Sequence, residues 1–221
     1  VKAEEVSSNV TPKAMAMMIS LSDAGKRFNR EWIFRHFTYQ FIQGQSYAIT
    51  GANGSGKSTL LQVLSGSMHF NEGQCVWSKD NTSIAAEQVY RHVSICAPYL
   101  EVVEEMTATE FLDFHQSFKS FLPGITTAFA IEMVGLKDAA HKQIRYYSSG
   151  MKQRVKLAQC IFSDTSIVLL DEPCTNLDVK GIDLYNELIE KYCTNRLVVV
   201  CSNDKTEYGF CKEILSISDY K

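Results

Sequence analysis

The sequence predicts an α/β protein with a mainly parallel sheet, an N-terminal antiparallel β region and an inserted α-helical block. Three observations carry this. The runs SIVLLDEP (166–173) and RLVVVCSN (196–203) have unbroken apolar middles, as strands buried on both faces do. Helical stripes alternate with them: Met151, Val155, Ala158 and Phe162 before the first run, and Tyr185, Leu188, Ile189 and Tyr192 between the two. Near the N-terminus, MISLSDAGKRF and EWIFRHFTYQFIQG read as two strands joined at Asn29-Arg30.

Taken in order, residues 1–16 are polar and acidic and are expected to be a flexible lead. One folded domain is expected over 17–221. In its second strand, Ile33, Arg35, Phe37, Tyr39 and Phe41 are expected on one face, with Trp32, Phe34, His36, Thr38 and Gln40 on the other. SYAIT (46–50) is a short strand, followed by a glycine-rich loop and the helical run KSTLLQVLSG. QCVW and VSICA are further short strands. The chain then turns helical and forms a subdomain over roughly 100–150. Thr107 to Glu110 is a capping box, with Phe111, Leu112, Phe114 and Phe118 expected on one stripe. Pro123-Gly124 breaks the pattern, and ITTAFAIEMVGL resumes it. A short helix and the strand EILSIS end the chain.

The bulk composition narrows function by exclusion. The 221 residues carry a net charge of −3 and no basic block, so no nucleic-acid partner is expected. The seven cysteines form no C-x-x-C pair and lie in apolar runs, which fits small buried hydrophobes in a reducing compartment better than a zinc or redox site. No apolar run reaches the eighteen residues that a membrane span needs.

The chemistry begins at Gly51-Ala52-Asn53-Gly54-Ser55-Gly56-Lys57-Ser58, which fits G-x-x-x-x-G-K-[ST], a P-loop, between an expected strand and an expected helix. Glycines let backbone N–H groups converge on phosphate oxygens, and the helix N-terminus adds its positive end. The fold class sharpens to a P-loop NTPase core. Gly51 through Gly56, with Lys57, Ser58 and Thr59, are the expected ATP-binding set; Lys57 reaches the β- and γ-phosphates, and Ser58 ligates Mg²⁺. The strand SIVLLD delivers Asp171 to the crevice as a second Mg²⁺ holder, and Glu172 polarises the attacking water.

GANGSGKST, YSSGMKQRV, VLLDEP and NLD, in that order, resemble the nucleotide-binding domain of ABC transporters. Ser148 follows Lys57 by 91 residues and precedes Asp171 by 23. The resemblance covers nearly all of 18–221 and implies an ATPase subunit, cytoplasmic and peripheral on the inner face of the membrane. It implies two kinds of partner: a separate transmembrane permease subunit, and a second ATPase subunit in a homodimer or heterodimer. Tyr147-Ser148-Ser149-Gly150-Met151 stands at the signature loop, so Ser148 and Gly150 are expected to contact the γ-phosphate held by the other subunit. Phe28 matches the aromatic that stacks on adenine, and Asp178 the loop that communicates between the two sites. Two positions depart from the family. Asn203 stands where a phosphate-contacting histidine is expected, and Tyr99 near an expected glutamine, where coupling or packing suits it better than metal ligation. These departures imply slow turnover. They also motivate an alternative, a non-transport ATP switch with weak or no hydrolysis.

Overall fold

A computed structural model describes residues 16–221; the expectation for residues 1–15 lies outside the described residues. Two sheets form the frame. β1 (Met17–Phe28), β2 (Glu31–Ile42), β4 (Glu72–Lys79) and β5 (Thr82–Ile84) make an antiparallel sheet in the order β2-β1-β4-β5. β6 (Val93–Cys96), β7 (Ile167–Asp171), β8 (Leu197–Cys201), β3 (Ser46–Thr50) and β9 (Glu213–Ser216) make a parallel sheet in the order β6-β7-β8-β3-β9.

Every residue of β7 and β8 is buried, and their side chains divide by alternation. Ile167, Leu169, Leu197 and Val199 pack with α1 (Lys57–Leu64) and the antiparallel sheet. Val168, Leu170, Val198 and Val200 pack with α4 (Ser149–Phe162) and α5 (Val179–Tyr192). A run apolar at every position therefore has both of its faces covered.

The face assignment along β2 needs correction. Phe34 is fully buried with Phe37 and Phe41, while Ile33 and Arg35 are half-buried. The cause is irregular pairing with β1, whose register shifts three times, the last where Lys26–Arg27 opposes Phe34–Trp32. Leu21–Ala24 on β1 opposes only Tyr39–Phe37 on β2, and Phe37–Phe34 opposes only Ala24–Lys26. Asp23 and His36, one on each strand, have positive φ, and their side chains meet at 2.6 Å. Strict alternation cannot be read through such insertions.

The inserted block contains α2 (Ala108–Gln116) and α3 (Thr127–Met133), with 3₁₀ turns at Lys137–Ala139 and Ile144–Tyr146. The capping box at Thr107 and Glu110 is present. The single stripe on α2 is not. Phe111 and Leu112 are buried, but Phe114 is 49% exposed and Phe118, beyond the helix end, is 76% exposed. Ala108, Phe111 and Leu112 set the inward face. His115 continues it, and Phe114 falls to its outer side. His115 Nε2 meets Ser163 Oγ at 2.8 Å and the Lys119 amine donates to the Val93 carbonyl, so α2 is tied to the α/β core. Burial holds the His115 imidazole neutral, with its pKa pushed down to about 4. Six of the seven cysteines are buried. Desolvation pushes the Cys75, Cys160 and Cys174 thiols up to about 12, as for packing residues rather than nucleophiles.

Candidate functional site

Adjacent parallel strands release their loops on one edge of the sheet, and the site forms there. β3 releases Gly51–Gly56, β7 releases Glu172 and β8 releases Asn203. Glycine is required within the first loop. At Gly56 φ is 107°, and a Cβ would stand 2.3 Å from Ile33 Cγ2 of β2. At Gly51 φ is 147°, and a Cβ would stand 2.7 Å from Ser55 Oγ.

The loop is built around a cation. Lys57 Nζ donates to the Gly51 carbonyl at 2.7 Å and the Ala52 carbonyl at 3.3 Å, so the buried amine lies over the loop that precedes its own helix. Ser55 Oγ is buried there without a hydrogen-bond partner among the described residues. An amine, an unpaired hydroxyl and a helix N-terminus suit phosphate oxygens.

Asp171 ends β7, two strands from β3 with β8 between them, and the Ser58 hydroxyl favours its ionised form. Burial raises its pKa and Glu172 adds to the rise, whereas Ser58 and Lys57 oppose it. Ser58 and Asp171 are a sparse oxygen set, and among the described residues no cluster of three or more His, Cys, Asp or Glu could hold a metal. Such a set suits Mg²⁺, which keeps several waters and takes substrate phosphate oxygens. Glu172 has φ 44°, an uncommon conformation for a side chain other than glycine, and its N–H donates to the Cys201 carbonyl at 2.9 Å. Glu172, Asn53, Lys57 and Ser58 line one groove of about 200 Å³.

Asn203 reaches the same place. Its Oδ1 accepts from the Gly51 N–H at 3.1 Å, so the residue at the expected histidine position fastens the start of the P-loop. The amide is neutral at every pH that matters here, and it cannot carry the charge an imidazole can. Asn203→His is therefore expected to raise ATP turnover several-fold and Asn203→Ala to lower it, both read by steady-state phosphate release. Equal rates in all three proteins would remove Asn203 from the site.

Ser148 and Gly150 are held elsewhere. Ser148 caps α4, its Oγ accepting from the Met151 N–H at 3.2 Å. Gly150 lies so close to the loop after β7 that a Cβ would stand 2.8 Å from the Asn176 carbonyl oxygen. Ser148, Gly150, Arg154, Asn176 and Asp178 line a second groove of about 490 Å³ that shares no residue with the first. Asp178 caps α5 through the Gly181 N–H at 2.8 Å and accepts from Arg154 at 3.3 Å. Within one chain the structure thus does not bring Ser148 and Gly150 to the P-loop. Phe28, at the end of β1, is 46% exposed, with the Lys26 amine 4.9 Å over its ring. Tyr99 is half-exposed and lines a separate groove of about 320 Å³ with Gln62, Tyr90, Leu100 and Lys119. Burial raises its phenol pKa, so it stays uncharged.

Sequence reasoning missed two residues that brace this edge. Gln153 on α4 is buried, and its Nε2 donates to the Pro173 carbonyl at 2.7 Å. Glu207, on α6 (Lys205–Tyr208), is also buried, and its Oε1 accepts from the Cys174 N–H at 2.7 Å. Each is one polar residue in a helical stretch, with no local pattern to mark it.

Comparison with known proteins agrees with this geometry. The family described as ABC transporter matches residues 34–175. The chain is similar to the cytochrome c biogenesis ATP-binding export protein CcmA of Xylella fastidiosa (strain 9a5c), 34% identical over 146 residues, which are 66% of this chain and 65% of that protein. The CcmA protein of Rhizobium meliloti (strain 1021) is 32% identical over 193 residues, 84% of this chain and 90% of that one. Among solved structures, the ATP-binding cassette MJ0796, a dimer in a post-hydrolysis state bound to ADP and Pi, superposes with a TM-score of 0.77 at 21% identity, covering 90% of this chain and 93% of that one. The antiparallel sheet, the parallel sheet and the P-loop between them are those of this fold, and the chain belongs to the ABC transporter family as one of its ATP-binding domains.

Proposed function

We propose that the chain is the ATP-hydrolysing subunit of an ABC transporter and powers separate transmembrane subunits. The observation that carries this reading is the convergence of Lys57, Ser58, Asp171, Glu172 and Asn203 on one sheet edge. ATP sits with its phosphates in the Gly51–Gly56 loop; Ser58 and Asp171 would hold Mg²⁺, which would neutralise phosphate charge. Lys57 exchanges its carbonyl partners for phosphate oxygens. Glu172, held at the groove by the last bond of β7 to β8, accepts hydrogen bonds from water and orients it for attack. Phe28 offers its open face to adenine, with Lys26 covering the other.

Two subunits complete one site. The grooves that hold Lys57 and Ser148 are separate in a single chain, which supports a head-to-tail arrangement in which the Ser148–Gly150 loop of one copy closes over the nucleotide of the other. The N-terminus of α4 then faces the γ-phosphate. Among the described residues no helix is long and apolar enough to cross a membrane, and the Tyr99 groove supplies a face for a separate membrane partner. The protein works at the cytoplasmic face of that membrane.

The test is purification from detergent-solubilised membranes. A tagged chain is expected to bring down an integral membrane protein, and Tyr99→Arg is expected to lose it while keeping ATP binding. Recovery of no membrane protein, or recovery unaffected by Tyr99→Arg, would contradict this reading of the groove.

A further inference from the structure

Glu207 is a buried carboxylate that the hydrolytic scheme above does not use. It is 5% exposed, and none of the ion pairs among the described residues includes it. A carboxylate is held there only if it is hydrogen-bonded. Oε1 accepts from the Cys174 N–H at 2.7 Å, two residues after Glu172. On the other side the Glu207 N–H donates to the carbonyl of Asp204, one residue after Asn203, at 3.0 Å, and the Ser202 hydroxyl, one residue before Asn203, favours the ionised carboxylate. Ser202 Oγ in turn accepts from the Asp204 N–H at 2.9 Å. The backbone is pinned as well, because the buried Tyr185 hydroxyl donates to the Glu207 carbonyl at 2.8 Å. Asn53, Glu172, Cys174, Asn203 and Glu207 share the wall of a cavity of about 370 Å³ beside the P-loop.

We infer that Glu207 is a positioning residue for hydrolysis, a carboxylate clamp that fixes the loop carrying Glu172 and the loop carrying Asn203 relative to each other. One residue bonds the peptide downstream of Glu172 through its side chain and the carbonyl downstream of Asn203 through its N–H. A shift in either loop breaks a bond to the other. Both functional side chains leave strand ends on short loops, and Glu172 is already in an uncommon backbone conformation, so neither loop holds its geometry alone. No contact with nucleotide is needed for this role. The inference rests on the ATPase reading above.

The test uses the full chain with Glu207→Gln, Ser202→Ala and the double variant. Glutamine keeps the size and can still accept from the Cys174 N–H, but it loses the negative charge, and its amide nitrogen can meet Ser202 only by donating to it. Turnover is normalised to sites titrated with a fluorescent ATP analogue. Glu207→Gln is expected to lower kcat about 10-fold, with KM for ATP within about twofold of wild type. Ser202→Ala, which also frees the Asp204 N–H, is expected to lower kcat by a similar factor, and the double variant by no more than the larger single effect, because both remove the hydroxyl-to-carboxylate contact. A merely structural role would lower Tm and the titrated fraction while leaving kcat per site unchanged. That outcome overturns the inference, as do fully multiplicative effects of the two variants. If the wild-type chain itself fails to hydrolyse ATP, the ATPase reading falls and this one with it. If the wild type turns over and Glu207→Gln matches it, only the clamp falls.

Discussion

Glu172→Gln is expected to bind ATP as well as the wild type and to lose about 10²- to 10⁴-fold in turnover, the range that a positioned general base contributes. Binding is kept because the phosphate cradle is formed by the Gly51–Gly56 backbone and Lys57, which Glu172 does not touch through any hydrogen bond among the described residues. Turnover is lost because the amide nitrogen cannot accept from water and the amide oxygen is a far weaker base than a carboxylate. The backbone argues for the same division. Glu172 is held by its own N–H on the Cys201 carbonyl, so the side chain can be changed without moving the loop. Fluorescent-nucleotide titration and phosphate release, done on one preparation, separate the two effects. Comparable hydrolysis by wild type and variant would show that Glu172 does not act on water.

The second large effect is on stability. Arg196 is buried without a carboxylate partner among the described residues. It is satisfied by carbonyls instead: Ile161 at 2.6 Å, Thr165 at 2.6 Å and Ser163 at 2.9 Å, with the Ser94 hydroxyl at 3.3 Å. These acceptors cluster at the C-terminal end of α4, where helix carbonyls lack partners and the helix dipole favours a cation. The guanidinium is therefore a C-terminal cap as well as a bridge from α4 to the edges of β6, β7 and β8. Arg196→Ala leaves several buried carbonyls unpaired and opens a void, an expected loss of about 4 kcal/mol. For a chain of this size that is a fall of roughly 10 °C in Tm, readable by thermal denaturation followed by circular dichroism. Arg196→Lys is expected to recover less than half, because an ammonium group cannot span the same fork. A Tm within a degree of wild type in Arg196→Ala would mean that water replaces the guanidinium without penalty.

Much of this was legible in the sequence, for identifiable reasons. β7, β8, α4 and α5 are long periodic or unbroken apolar patterns, and burial follows such patterns directly. The P-loop was legible because its glycines are needed for backbone geometry, as the contacts at Gly51 and Gly56 confirm. What failed were positions set by local irregularity. The opposed bulges at Asp23 and His36 turned Phe34 inward against simple alternation, and the end of α2 at Gln116 left Phe118 outside its stripe. Arg196, Gln153 and Glu207 were illegible for another reason. Each acts through one to three long-range hydrogen bonds to backbone, and backbone acceptors and donors have no sequence identity to read. The link between Asn203 and Gly51 is of the same kind. The motif order placed Asn203 near the P-loop, but only the structure shows it bonded to the loop's first N–H.

The central claim is that the Ser148–Gly150 loop completes a site whose other half lies in a second subunit. Light scattering of the hydrolysis-impaired Glu172→Gln chain, with and without ATP and Mg²⁺, tests it most directly, beside the same chain carrying Ser148→Arg. A doubling of mass on adding ATP, abolished by Ser148→Arg while fluorescent-ATP affinity is kept, is the predicted result. A mass that ATP leaves unchanged, or that doubles equally in both proteins, would contradict it.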